Sequence, residues 1–146
     1  MSAITQKRGL VPELYVSDIA VSRVFYVETL EFAVLFERPE DGFLYLERDC
    51  AELMLDSAEI GRTWIAAPLE KPYGRGISLQ IWTEAVEALY ARVRESGAGL
   101  FLEMEEKWYR RDTDYLGTRQ FIVQDPDGYL LRFAEDLGER RTPPQS

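Results

Sequence analysis

VPELYVSDIAVSRVFYVETLEF, residues 11–32, decides the fold. Its first six residues, Val11 to Val16, alternate in polarity as a strand does. Ser17 and Asp18 are good helix N-cap residues, and Val21, Val24 and Phe25 then recur at helical spacing. A strand therefore leads into a helix. A second copy of this order lies further on, in ISLQIWTEAVEALYARVRESGAG, residues 77–99. There Ile77 to Trp82 alternates, Thr83-Glu84 is the expected cap, and Val86, Leu89, Tyr90 and Val93 mark one helix face. The two copies align at an offset of 66, which sets Val11 on Ile77, Asp18 on Glu84 and Glu31 on Gly97. Gly97 suits the left-handed residue that ends a helix. Glu31 at the same place implies either strain or a different helix end.

Strand-like segments follow each helix. In the first half they are Val34 to Arg38, Phe43 to Glu47 and Ala51 to Asp56, separated by turns at Pro39–Gly42 and Arg48-Asp49. In the second half they are Leu100 to Met104, Thr118 to Gln124 and Tyr129 to Ala134, with Asp125-Pro126-Asp127-Gly128 as the last turn. The order β-α-β-β-β thus occurs twice, as modules 10–56 and 77–135 of a single α+β domain over 8–136. Residues 57–76, which hold Pro68, Pro72, Gly74 and Gly76, read as an inter-module linker, and 137–146 as a flexible tail. Gly74-Arg75-Gly76 lacks the spacing and the lysine of a phosphate loop.

Composition narrows the function. The 146 residues are 46% apolar, enough for one sizeable core. There is no histidine, which removes Ser-His-Asp, Cys-His and imidazole-metal chemistry. The single Cys50 allows no internal disulfide and no multi-cysteine zinc site, and it reads as structural. A net charge of −9 disfavours a nucleic-acid surface and favours neutral or cationic partners. No apolar run approaches the length of a membrane span, and Met1–Leu10 lacks the core of a secretion signal, so the expectation is a cytoplasmic protein.

The opening stretch, together with the closing RQFIVQDPDGYLLRF (residues 119–133), resembles the glyoxalase/bleomycin resistance protein/dioxygenase superfamily, also called vicinal oxygen chelate proteins. The resemblance covers about residues 10 to 136 and is nearest in character to bleomycin-resistance members without metal ligands. It implies two βαβββ modules forming a curved mixed-sheet half-barrel cleft, in a chain that dimerises. Metal-dependent members carry ligands at positions that fall here on Val11, Met54, Ile77 and Arg132. Aliphatic carbon donates nothing, a thioether prefers soft metals, and a guanidinium repels a cation. No metal and no cofactor are therefore expected. A slip of register at Met54, to Glu52 or Asp56, would add one carboxylate, which does not make a site.

The period-two rule places Glu13 and Tyr15 on the cleft face with Val11, and Arg132 on that face of its own module. Glu13 and Arg132 could form an ion pair or orient a polar ligand. Phe36, Phe43 and Tyr45, with Phe32 and Trp82, supply aromatic surface, while Phe25 and Tyr90 read as core. A long loop over 105–117 presents Trp108, Tyr109 and Tyr115, either as a lid or as packing against a dimer neighbour. The candidate ligand-binding set is Glu13, Tyr15, Phe36, Phe43, Tyr45, Trp82, Trp108, Tyr109, Tyr115 and Arg132, with no catalytic residue assigned. The expected function is metal-free sequestration of a flat aromatic or cationic small molecule in a dimer cleft, as in antibiotic resistance, with neither nucleic acid nor membrane as partner. Two alternatives stand beside it: a metal-independent enzyme (lyase, isomerase or glyoxalase-like) using Glu13 and Arg132, and a non-binding dimeric interaction protein.

Overall fold

The structure is a computed structural model that describes residues 7–144. Residues 1–6, within the stretch read for a secretion signal, and residues 145–146 of the expected tail lie outside the described residues. Contacts group the chain into two compact units divided after Ala66, inside the segment read as a linker.

In the first unit, β1 (Glu13–Val16) enters a helix, α1, that runs from Ile19 and changes at Val24 from α to π winding, ending at Thr29. Strands β2 (Ala33–Arg38), β3 (Phe43–Arg48) and β4 (Ala51–Ser57) complete a sheet in the order β1-β4-β3-β2, with β1 and β4 parallel and the other pairs antiparallel. Asp18 caps α1 as expected, its carboxylate accepting from the backbone N–H groups of Ala20 and Val21. Glu31 is left-handed at φ 62, so the strained alternative is the one realised. The β3–β4 turn centres on Asp49 and Cys50, both at positive φ, one residue beyond the expected turn. Leu14, Val16, Leu44, Leu46, Leu53 and Leu55 point to one face and are buried with Phe25, Tyr26, Leu30 and Phe32. Phe32 therefore belongs to the core, edge-on to Tyr26, and not to a binding surface.

The second unit repeats the plan with β5 (Ser78–Trp82), α2 (Val86–Ser96), β6 (Leu100–Arg111), β7 (Asp114–Gln124) and β8 (Leu130–Arg140), in the order β5-β8-β7-β6. Both sheets are mixed, four-stranded and open. Leu79, Ile81, Phe121, Val123, Leu131 and Phe133 form the face toward α2, where Tyr90 meets Phe121. Gly97 ends α2 at φ 76.

Three sequence expectations change. The stretch 105–117 is not a loop: β6 and β7 form a long hairpin that pairs from Leu100↔Val123 to Arg111↔Asp114. Because β7 extends so far, β8 gains a partner down to Tyr115↔Arg140, and residues 137–140 are strand where a tail was expected. The cap of α2 also differs. Its N-cap is Ala85 without a side-chain bond, and the Thr83 hydroxyl accepts from the Ala85 N–H.

The offset between the copies changes as well. Buried Leu14 and Val16 correspond to buried Ile81 and Thr83, and the N-caps Asp18 and Ala85 correspond too, an offset of 67. After the helices, left-handed Glu31 and Gly97 restore 66. The first helix thus carries one residue more, and its π turn absorbs it, as a single-residue insertion into an α-helix does. Ser78, not Ile77, is then the counterpart of Val11, and Gln80 that of Glu13.

Candidate functional site

In the first unit the register builds two rows of side chains on the face away from the helix. Glu13, Met54, Tyr45 and Phe36 form one row across β1, β4, β3 and β2; Tyr15, Asp56, Phe43 and Arg38 form the next. Five expected residues, Glu13, Tyr15, Phe36, Phe43 and Tyr45, are therefore brought together. Phe36 stacks on Tyr45 at 4.8 Å, and the Arg38 guanidinium lies 4.0 Å above the Phe43 ring. Phe43 is buried beneath it, which leaves Phe36 as the open aromatic surface.

The chain after β4 folds back over one end of this face. The Trp64 N–H donates to the Tyr15 hydroxyl at 2.9 Å, and Arg62 lies over the Trp64 ring. Glu13, Tyr15, Arg38, Asp41, Asp56, Gly61, Arg62 and Trp64 line a half-open cavity of about 310 Å³. Within it Glu13 and Asp56 are hydrogen-bonded carboxyl groups, which requires a proton between them. That bond, then burial, then the charge of Asp56, push Glu13 up to about 7. Arg38 is paired with Asp41 at 3.1 Å. Further along the face, the Tyr45 hydroxyl donates to Glu52 at 2.6 Å, and Arg8 lies 3.5 Å from that carboxylate. Asp56, Arg62, Trp64 and Glu52 were not in the expected set. Asp56 was legible in principle from strand parity, whereas Trp64 sits in an irregular segment that periodicity does not place.

In the second unit the equivalent face carries Gln80, Trp82, Arg132, Ala134, Ile122 and Gln120. Arg132 donates from Nη2 to Gln80 and from Nη1 to the Gln120 carbonyl at 3.5 Å. Gln120, 1% exposed, donates to Glu105 and to the Tyr109 hydroxyl, both at 2.8 Å, and accepts from Thr118 at 3.1 Å. Trp82 is 52% exposed beside this network. Trp108 and Tyr115 fall on the other face. The Trp108 ring covers Gly117 and Arg140 lies over it at 5.0 Å, so Trp108 is used by the hairpin itself. The Glu13–Arg132 ion pair considered from sequence would join two units described separately; within its own unit each residue has other partners.

A divalent metal would have to find its donors at the ligand positions of metal-dependent members. Val11, Met54, Arg132 and either Ile77 or its structural replacement Ser78 offer no carboxylate or imidazole, and among the described residues no group of three or more His, Cys, Asp or Glu side chains converges. The residues do not fit the metal of metal-dependent relatives. No helix among the described residues is long and apolar enough to cross a membrane.

The family model described as Glyoxalase/Bleomycin resistance protein/Dioxygenase superfamily matches residues 10–133. A superfamily member from Vibrio splendidus 12B01 is 41% identical, with 87% of this chain and 97% of that chain covered, at a TM-score of 0.40. TioX from Micromonospora sp. ML1 is 21% identical at a TM-score of 0.69, covering 90% of this chain and all (100%) of that one. A virulence protein from Salmonella typhimurium is 18% identical at 0.66, covering 90% and 98%. The latter two likenesses are likenesses of fold. No curated protein matches.

Proposed function

The chain belongs to the glyoxalase/bleomycin resistance protein/dioxygenase superfamily, and from that premise we propose that it binds a flat aromatic or cationic small molecule without a metal ion, in the cleft of a dimer. The observation that carries this reading is the two-row face of the first unit, where an aromatic surface adjoins a cavity whose lining includes Tyr15, Trp64 and the carboxyl groups of Glu13 and Asp56. Aromatic walls with a few polar groups are what a small-molecule site needs. The acidic net charge suits a cationic group. In the first unit the contact residues are Glu13, Tyr15, Phe36 and Tyr45; in the second, taken by itself, they are Trp82, Tyr109 and Arg132. Phe43 lies beneath the first of these sets, and Trp108 and Tyr115 act in the hairpin.

Thermal melts of the purified protein against flat aromatic natural products and glycopeptide antibiotics of the bleomycin kind test this reading, since a ligand that binds only the folded state raises Tm. A dose-dependent rise lost in Phe36→Ala and Trp64→Ala supports it. A panel without effect sinks it. A second reading is favoured by one observation: a carboxyl that titrates near 7 inside a cavity is suited to proton transfer at neutral pH. In that reading Glu13 is a general base, and Glu13→Gln abolishes a turnover that wild type shows.

A further inference from the structure

Arg132 differs from the other half-buried arginines of the chain. Arg23 is paired with Glu37, Arg48 with Asp49 and Arg119 with Glu87, while Arg140 lies over the Trp108 ring. Arg132 is held only by neutral amides, those of Gln80 and Gln120. Its register neighbours on the open face are Gln80 and Ile122 across the sheet and Leu130 and Ala134 along β8, none of them charged. Among the described residues no carboxylate forms an ion pair with it, and its Nε is buried with no hydrogen-bond partner. A guanidinium has five N–H groups. Two are used, and the anion must come to the Nη edge, because Nε is covered.

The supporting residues are fixed in turn. Gln120 is buried, and its amide donates to both Glu105 and Tyr109, which orients its carbonyl toward Arg132. Burying positive charge against neutral dipoles alone is unfavourable unless a counter-charge arrives. Such an arrangement is organised to receive an anion, and a planar fork suits a planar carboxylate. Trp82 stands one pleat away on the same face, exposed, where an aromatic ring attached to that carboxylate can stack.

We propose that the open face of the second unit, taken by itself, binds a carboxylate-bearing small molecule, which Arg132 holds through its Nη edge while the attached aromatic system stacks on Trp82. The proposal rests on the small-molecule reading above and narrows it, from flat aromatic or cationic to aromatic with an anionic end. Gln80 and Gln120 are positioning residues.

Calorimetric titration of the full chain with 2-naphthoate, its neutral isostere 2-naphthamide and the cation 2-naphthylmethylammonium tests it. The expected result is naphthoate binding with the amide roughly ten- to a hundredfold weaker. Arg132→Gln removes that preference and brings the two probes together, and Arg132→Lys restores it in part. Trp82→Ala, at an exposed position where the fold is not at stake, weakens naphthoate and naphthamide alike. Tighter binding of the cation or the amide than of naphthoate overturns the carboxylate assignment and leaves the small-molecule reading standing. A preference for naphthoate that survives in Arg132→Gln of wild-type Tm also overturns it. No binding of any probe at millimolar concentration, with no response to the natural-product panel, overturns both.

Discussion

Glu13 was legible in the sequence as a residue of the open face, since strand parity alone places it there. Its partner was not: a polarity pattern shows which way a side chain points, and not which of several acceptors it meets. The Glu13–Asp56 bond makes pH the natural probe. Glu13 has an ordinary value near 4.5 in the unfolded chain and about 7 in the fold. Between these values the folded state binds more protons, so stability falls as pH rises. The contribution is fully present below about 4.5 and lost by the time pH passes 7. Melting curves between pH 4 and 8 should show a decline in Tm across this window that Glu13→Gln flattens, whereas a slope unchanged in the variant would mean the two carboxyls do not share a proton. Glu31 supplies a second prediction at this scale. A left-handed non-glycine residue is strained by about 1–2 kcal/mol, and the 3.9 Å contact with Arg48 that substitution would lose is at an exposed side chain. Glu31→Gly should raise the unfolding free energy in urea by roughly 0.5–1 kcal/mol, after allowing for glycine's greater unfolded entropy.

Strands and helices were found where periodicity is strong and misjudged where it is interrupted. The hairpin of β6 and β7 looks like a loop in the sequence because Glu105 to Arg111 mixes charges and aromatics without a clean alternation. Both faces of that hairpin end carry polar groups, so no apolar stripe marks it. The one-residue misalignment of the copies has a related cause. The extra residue in the π turn of α1 is invisible to a fixed offset, and a slip of one in a strand exchanges its faces. The Asp125–Gly128 turn was read correctly, since its residues are chosen by backbone geometry. The Asp125 carboxylate accepts from the N–H groups of Asp127, Gly128 and Tyr129. Gly128 sits at φ 112, where a Cβ would lie 2.5 to 2.8 Å from Pro72 and from the Tyr73 N–H nitrogen. Backbone cannot yield as a flexible side chain can. Gly128→Ala should therefore destabilise the second unit by about 2–4 kcal/mol, from conformation and overlap together, measured by chemical denaturation; a loss under 1 kcal/mol would mean the 72–73 segment is not held against the turn.

Across the whole molecule, the chemistry turns on what the superfamily's ligand positions now hold. A divalent ion is retained by donors that together offset its hydration, and the Irving–Williams order ranks metals only where such donors exist. Val11 and Met54 in the first unit, with Ser78 and Arg132 in the second, supply one thioether, one hydroxyl and one positive charge. The Glu13–Asp56 pair is the nearest alternative. It offers two carboxylates, already satisfied by a proton, with Arg38 and Arg62 also lining the cavity. A metal there must displace that proton against two guanidinium groups. Melts in Mn²⁺, Co²⁺, Ni²⁺ or Zn²⁺ at modest excess should therefore match melts in EDTA at pH 6, where Glu13 is largely protonated. Should a metal raise Tm at pH 8 and not at pH 6, with the rise lost in Asp56→Asn, the carboxyl pair would be its seat. A rise at both pH values that survives Asp56→Asn would contradict the reading of the ligand positions as empty of donors.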